Sequence, residues 1–327
     1  MLKKLSFLLL SSLILFSCDE NGTRPAIDKD LLPNSNGGRL DIIVVAEESI
    51  WQDSSGEVFR KYFTEAQDGL PQGEPIFNVR QVTPKQFGTL LQRARNVVIL
   101  EKGDVGFAME TNKYAKPQQY VVLSAPDKEA LISLIREHQE KVIQELHYSE
   151  MRYLQKRVTA KSQPVSKTLT NHNVTVKIPP AFEKTVEQEN LLVYWSKTIK
   201  TQQGIVIHFE PIKDNEGAIG QRIIPLRDSL TQLHIPGDNV GSYMKVEDII
   251  PPVFTNLDID GRYAIETRGL WRTEGDFMGG AFLSYTIYDE VNNQKITLDG
   301  FLYAPEVDKR NFVLEIEAVL RSIEFTN

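Results

Sequence analysis

Residues 262–282, RYAIETRGLWRTEGDFMGGAF, gather more reactive and ligand-gripping side chains than any other stretch of this 327-residue chain. Side chains alternate along a strand, so Tyr263, Ile265, Thr267, Gly269 and Trp271 would share one face, with Glu266, Arg268 and Arg272 on the other. A binding surface could be built from them. Arg268 would anchor an anion or carboxylate, Trp271 would supply an apolar wall, and the turn Phe277-Met278-Gly279-Gly280 would let a ligand approach closely. The same residues also suit a core-facing tryptophan backed by a solvated charge ladder of modest energetic value. The carboxylates Glu266, Asp276 and Asp260 are the groups from which a hydrolase would draw an acid–base pair.

Other chemistry is sparse. Asn256-Leu257-Asp258-Ile259-Asp260-Gly261 matches the first half of a calcium loop, but Thr267 stands where a bidentate glutamate belongs. A turn entering the following strand accounts for Asp260-Gly261 without metal. His138 and His147 are nine residues apart on one helix, on opposite sides of it, so they cannot share a ligand. His172, His208 and His234 are scattered. The chain has no G-x-S-x-G, no H-E-x-x-H, no glycine-rich phosphate loop and no dinucleotide fingerprint. No catalytic residue, metal ligand or cofactor is therefore assigned.

The single cysteine, Cys18, follows a short apolar run (MLKKLSFLLLSSLILFSC). Lys3 and Lys4 precede about a dozen apolar residues, fewer than the roughly 20 a membrane-spanning helix needs. Residues 1–17 read as a cleaved export signal. Leu15-Phe16-Ser17-Cys18 resembles the bacterial lipobox, with Phe16 bulkier than the usual residue. The resemblance implies a diacylglycerol thioether on Cys18 and a further acyl chain such as palmitate on its amino group. More than one chain gives stable anchoring. The expectation is an exported lipoprotein held at a membrane of the cell envelope, the outer membrane in particular. Lipidation would leave no thiol for a disulfide, a metal site or a nucleophile.

Net charge is −7, and removing residues 1–17 takes away two lysines and no acid. With no basic run, nucleic acid is not an expected partner. An envelope protein or polymer, besides the membrane itself, is.

Stepping along the chain, residues 18–38 are polar and rich in Gly, Pro, Asn and Asp, as suits a tether. Residues 39–158 alternate strand and helix. The strands are at 40–46, 75–82, 96–100 and 120–123. The first helix carries Val58, Phe59, Tyr62, Phe63 and Ala66. The second begins at the capping-box pattern Thr83-Pro84-Lys85-Gln86 and continues through Phe87, Leu90, Leu91 and Ala94. A long third helix is capped by Ser124-Ala125-Pro126-Asp127. This alternation predicts a three-layer α/β domain. Residues 159–172 read as a linker. Residues 173–327 carry strands at 174–178, 191–195, 205–209, 263–271, 281–288 and 295–303. A short helix near Pro225 presents Leu226, Leu230 and Leu233, Asn292-Asn293 marks a hairpin, and a last helix leads to a short strand at 322–325. This half is expected to be an antiparallel-sheet α+β sandwich whose element order resembles the PsbP/Mog1 type, an analogy of fold that carries no function.

Several stretches carry a further resemblance: Leu70-Pro71-Gln72-Gly73-Glu74-Pro75 with Phe77, Arg95-Asn96, Gly241-Ser242-Tyr243-Met244, Arg268-Gly269-Leu270-Trp271, Phe277-Met278-Gly279-Gly280, and Tyr303-Ala304-Pro305 with Lys309-Arg310. Together they resemble domain-of-unknown-function family 4837, envelope lipoproteins of Bacteroidetes-type bacteria, over nearly the whole mature chain. That resemblance implies an envelope lipoprotein with no assigned activity. Two readings follow: a non-enzymatic binding or assembly module, or an envelope hydrolase working through carboxylates.

Overall fold

Residues 29–213 and 221–326 are described by a computed structural model. The expected export signal, Cys18 and residues 18–28 of the expected tether lie outside the described residues. Residues 34–38, also expected in the tether, run along the first half. The Ser35 N–H donates to the Lys116 carbonyl at 3.1 Å, and the Arg95 guanidinium donates to the Gly37 and Gly38 carbonyls at 3.1 and 2.7 Å.

The first half is built on β1 (Asp41–Ala46), β2 (Asn78–Val82), β3 (Asn96–Lys102), β4 (Gly106–Thr111) and β5 (Gln119–Ala125). They form one sheet in the order β2-β1-β3-β5-β4, parallel except for the edge strand β4. Strands β1 and β3 are apolar along their length because both faces are covered. Ile42, Val44, Val98 and Leu100 meet one cluster, whereas Ile43, Val45, Val97 and Ile99 meet Phe87 and Leu91 on the other side. Two short helices, α1 (Glu48–Trp51) and α3 (Thr89–Gln92), accompany two longer ones, α2 (Ser54–Phe63) and α4 (Lys128–Val158). Asp53 caps α2 and Asp127 caps α4 by accepting backbone N–H bonds at 2.7 and 2.9 Å. At Thr83 the backbone N–H and the hydroxyl both donate to Gln86 Oε1, at 2.9 and 3.0 Å. The helix expected there nevertheless stops after one 3-10 turn. Gly88 is extended and separates that turn from α3, which leaves Leu90 exposed.

The second half begins with α5 (Lys167–Asn171), inside the segment expected as a linker, with Thr168 and Leu169 buried. Next come β6 (Val174–Thr175), β7 (Glu183–Glu187), β8 (Leu191–Lys197), β9 (Gln202–Pro211) and α6 (Ile223–His234). The remaining elements are β10 (Tyr243–Val246), β11 (Val253–Ile259), β12 (Arg262–Glu274), β13 (Gly279–Asp289), β14 (Gln294–Tyr303), α7 (Arg310–Leu320) and β15 (Glu324–Phe325). Eight strands form an antiparallel sheet in the order β10-β12-β13-β14-β9-β8-β7, with β11 also paired to β12. Strands β6 and β15 pair separately. Helix α6 covers one face of the large sheet and α7 the other. The architecture is thus α/β followed by an antiparallel α+β sandwich, as the sequence predicts.

The two halves meet through α7. Its Val313, Ile316, Val319 and Leu320 join the core of the large sheet. Its Leu314 and Ala318 join the core of the first half, beside Leu146 and Met151 of α4.

Candidate functional site

At one end of the large sheet, on the α6 side, strands β8, β12 and β14 enclose a cleft of about 550 Å3. Trp195, Trp271, Phe301 and Tyr303 line it together with Met244 and Met278, while Glu183, Lys197, Gln202 and Asp238 supply polar groups. Glycines opposite the rings make room for them. Gly204 pairs with Phe301, and a Cβ there would lie 2.0 Å from the phenyl ring. Gly280 pairs with Trp271, and a Cβ there would lie 1.9 Å from the Leu302 carbonyl oxygen and 3.1 Å from the indole nitrogen. That indole N–H donates to the Leu302 carbonyl at 3.2 Å, which fixes the ring. Phe301 meets both indoles edge-on, with centroids 5.0 Å from Trp195 at 80° and 6.1 Å from Trp271 at 78°. These are favoured aromatic geometries. Trp195 and Tyr303 remain half-buried, and the Lys197 ammonium lies 4.8 Å over the Trp195 ring. The opposite wall is the segment 235–238, tied to Asp276, whose Oδ2 accepts the Asp238 and Asn239 N–H groups at 3.0 and 3.3 Å. The Phe277, Asn239 and Asp238 N–H groups, Phe277's foremost, hold the Asp276 carboxyl below its usual range.

The expected surface around Arg268 and Trp271 divides. Trp271 and Met278 line the cleft, Gly279 and Gly280 start β13 with Gly280 paired to Trp271, and Phe277 projects fully into solvent. Arg268 lies on the opposite face of β12, as the alternation predicts, but it is not a solvated charge there. It donates to Glu266 at 2.7 Å and to Glu317 of α7 at 2.9 Å. Tyr285 donates to Glu266 at 2.8 Å, Arg321 donates to Tyr285 at 3.0 Å, and His147 of α4 lies 3.7 Å from Glu317. Burial pushes the Glu317 carboxyl up, but Arg268, His147 and Arg321 outweigh it and hold it down at about 2. Burial beside Glu317 and Glu266 drives Tyr285 well above its usual range. This network joins the two halves.

The three carboxylates named for a hydrolase are placed apart. Glu266 is engaged in that network, and Asp276 secures the cleft wall. Asp260 occupies the β11–β12 turn in the left-handed region at φ 53°, followed by Gly261 at 75°, with the Gly261 N–H donating to Asp258 at 2.9 Å. The calcium-like half-motif is therefore a strand and its turn. Among the described residues no group of three or more His, Cys, Asp or Glu could hold a metal. His138 stacks on Phe107 at 3.8 Å and His172 on Phe209 at 3.9 Å.

Two features have no counterpart in the sequence reading. Trp195, Phe301 and Tyr303 complete the cleft; the sequence puts them on strands, and Tyr303 in a motif, without joining them to Trp271, and Gly204, a glycine inside an apolar strand, is a further signal of close approach. Beneath α6, Arg227 donates to Asp299 at 2.8 Å with both side chains buried. Burial raises Asp299 even against the arginine. The stripe expected on α6 ran through Leu233, which is exposed; the buried face is Ile223, Arg227, Leu230 and Thr231.

Residues 161–322 match the family model described as Domain of unknown function (DUF4837), and residues 35–159 match a different one, Domain of unknown function (DUF8532). The resemblance expected over nearly the whole mature chain thus falls on the second half, and the first half matches a different family model. Among curated proteins none matches. The chain is similar in structure to the Saccharomyces cerevisiae Ran-binding protein Mog1p, at 10% identity and a TM-score of 0.33, over 49% of this chain and 93% of that one. It is also similar to a Mog1 mutant, at 10% identity and 0.28, over 47% and 92%. No described helix is long and apolar enough to cross a membrane.

Proposed function

We propose, for a chain whose halves match two families of unknown function, that it is a lipid-anchored protein of the bacterial cell envelope acting as a binding module. Its ligand would sit in the cleft walled by Trp195, Trp271, Phe301 and Tyr303. The observation that carries this reading is the cleft itself: a preformed concave site of about 550 Å3 in which four aromatic side chains and two methionines stand beside the polar Glu183, Thr185, Lys197, Gln202, Asp238 and Thr273. Small-molecule sites have this size, and combine apolar walls with polar groups that orient the ligand. The anchor rests on the short apolar run and the lipobox-like Leu15-Phe16-Ser17-Cys18. The interior charge network around Glu317 suits a rigid scaffold for such a site.

Two measurements test the two parts of the proposal. Metabolic labelling with a fatty acid should mark the wild-type protein and not Cys18→Ala, and the variant should leave the membrane fraction or remain unprocessed. Absence of label from the wild type rejects the anchor. A photo-crosslinking residue at Gln202 should capture a cleft ligand or neighbour that one at Phe277 does not; identical capture at both rejects the cleft as the site.

A further inference from the structure

The side chains around the cleft also define what it can hold, provided the cleft is the binding site. We infer that its ligand is a neutral saccharide chain, stacked on Trp195 and Tyr303 and hydrogen-bonded by Gln202, Glu183 and Asp238. The floor strands have no backbone to offer. Strand β8 is paired on both sides by β7 and β9, β14 by β13 and β9, and β12 by β13 on one side and β10 and β11 on the other. A peptide adding as a further strand would need free backbone groups; the floor strands have spent theirs on each other, and the edge strand β7, whose Glu183 and Thr185 also line the cleft, carries the charged Glu183, Lys184 and Glu187, which discourage strand addition. Recognition there falls to side chains. Charge narrows the choice again: Lys197 faces Glu183 and Asp238 around the cleft, with Gln202, Thr185 and Thr273 neutral. One ammonium against two carboxylates does not favour a phosphate or a carboxylate ligand. A purely hydrocarbon ligand would strand these polar groups without partners, which is costly once water is excluded. A pyranose has what remains, an apolar C–H face for an aromatic ring and a rim of hydroxyls that donate and accept. Trp195 and Tyr303 are the half-buried rings that can take that face, Trp195 on the side away from the Lys197 ammonium, whereas Trp271 is buried and held by its bond to Leu302.

The test is a titration of the purified full chain in detergent with neutral hexasaccharides, chitohexaose, maltohexaose and cellohexaose among them, read by tryptophan fluorescence. Trp195 is one of only three tryptophans in the chain. A saturable change is expected with at least one sugar. Tyr303→Ala and Gln202→Ala should each weaken it at least fivefold, Trp195→Phe, which removes the reporter, should weaken binding as much by calorimetry, and Phe277→Ala should leave it unchanged. Circular dichroism establishes that each variant is folded, and Gln202→Ala keeps the test decisive if an aromatic variant is not. Saturation by pentalysine, inorganic phosphate or decanoate, with no response to any saccharide, overturns the saccharide assignment and leaves a binding cleft. No response to any of these probes, together with indifferent crosslinking at Gln202, overturns the cleft as well.

Discussion

Arg268 of β12 donates to Glu317 of α7 across 2.9 Å, a bond that links residues 49 apart in the chain and closes the seam between its halves. Both side chains are largely removed from water. Glu317 is reached from the other side by His147 of α4, so one carboxylate ties together the long helix of the first half and the sheet of the second. The residue type that looked suited to gripping a ligand is thus used internally.

Arg268→Ala should consequently destabilise the fold strongly. It leaves Glu266 and Glu317 buried with their main partner gone, and breaking a buried pair from one side costs about 3–5 kcal/mol. Arg272→Ala, whose partners Glu247, Asp248 and Glu274 lie at the surface, should cost less than about 1 kcal/mol. Urea unfolding of the two variants measures the contrast; equal midpoints would contradict it.

Acid should unfold the protein in part through Glu317. Its carboxyl is held at about 2, below the ordinary 4.5, so its contribution is present in full above the ordinary value. That contribution is lost as pH falls from there through about 2. Asp299 has the opposite sign: its raised value favours the fold at low pH, and that share is lost as pH rises through the raised value. Glu317→Gln should lower stability at pH 7 and flatten the fall of the urea midpoint between pH 5 and 3. An unchanged slope would remove Glu317 from the account.

Gly204→Ala tests how the cleft is made. The added methyl would lie 2.0 Å from the Phe301 ring, which cannot stay in place. Overpacking of this kind costs about 1–3 kcal/mol. The melting temperature should fall, and the fluorescence change expected on saccharide binding should weaken with it. A variant as stable as the wild type would show that Phe301 has room to turn.

Leu314→Ala tests whether the halves unfold together. Leu314 is contributed by α7 to the core of the first half, and removing it should cost about 2–5 kcal/mol. Because α7 also carries the core of the large sheet, one cooperative transition is expected, shifted as a whole. Two separated transitions, with only the first half shifted, would mean that α7 couples them weakly.

Much of the architecture is legible in the residues. Strands β1 and β3 are continuous apolar runs because they are covered on both faces, Asp127 announces α4, and Asn292-Asn293 marks the β13–β14 hairpin. Edge elements are harder to read. Strands β4, β7 and β11 are mostly exposed, so their apolar pattern is short, limited to pairs such as Phe107 and Met109 or Leu257 and Ile259, and α6 buries Arg227 where an apolar stripe was expected through Leu233. For the site, the two-residue period of β12 already puts Trp271 on one face and Arg268 on the other. What covers each face is not local information. Helix α7, from the end of the chain, closes over Arg268, while Trp195, Phe301 and Tyr303 from β8 and β14 come to stand beside Trp271. Alternation along a strand fixes which way a side chain points, but the partner it meets there depends on strand order and on helices distant in sequence.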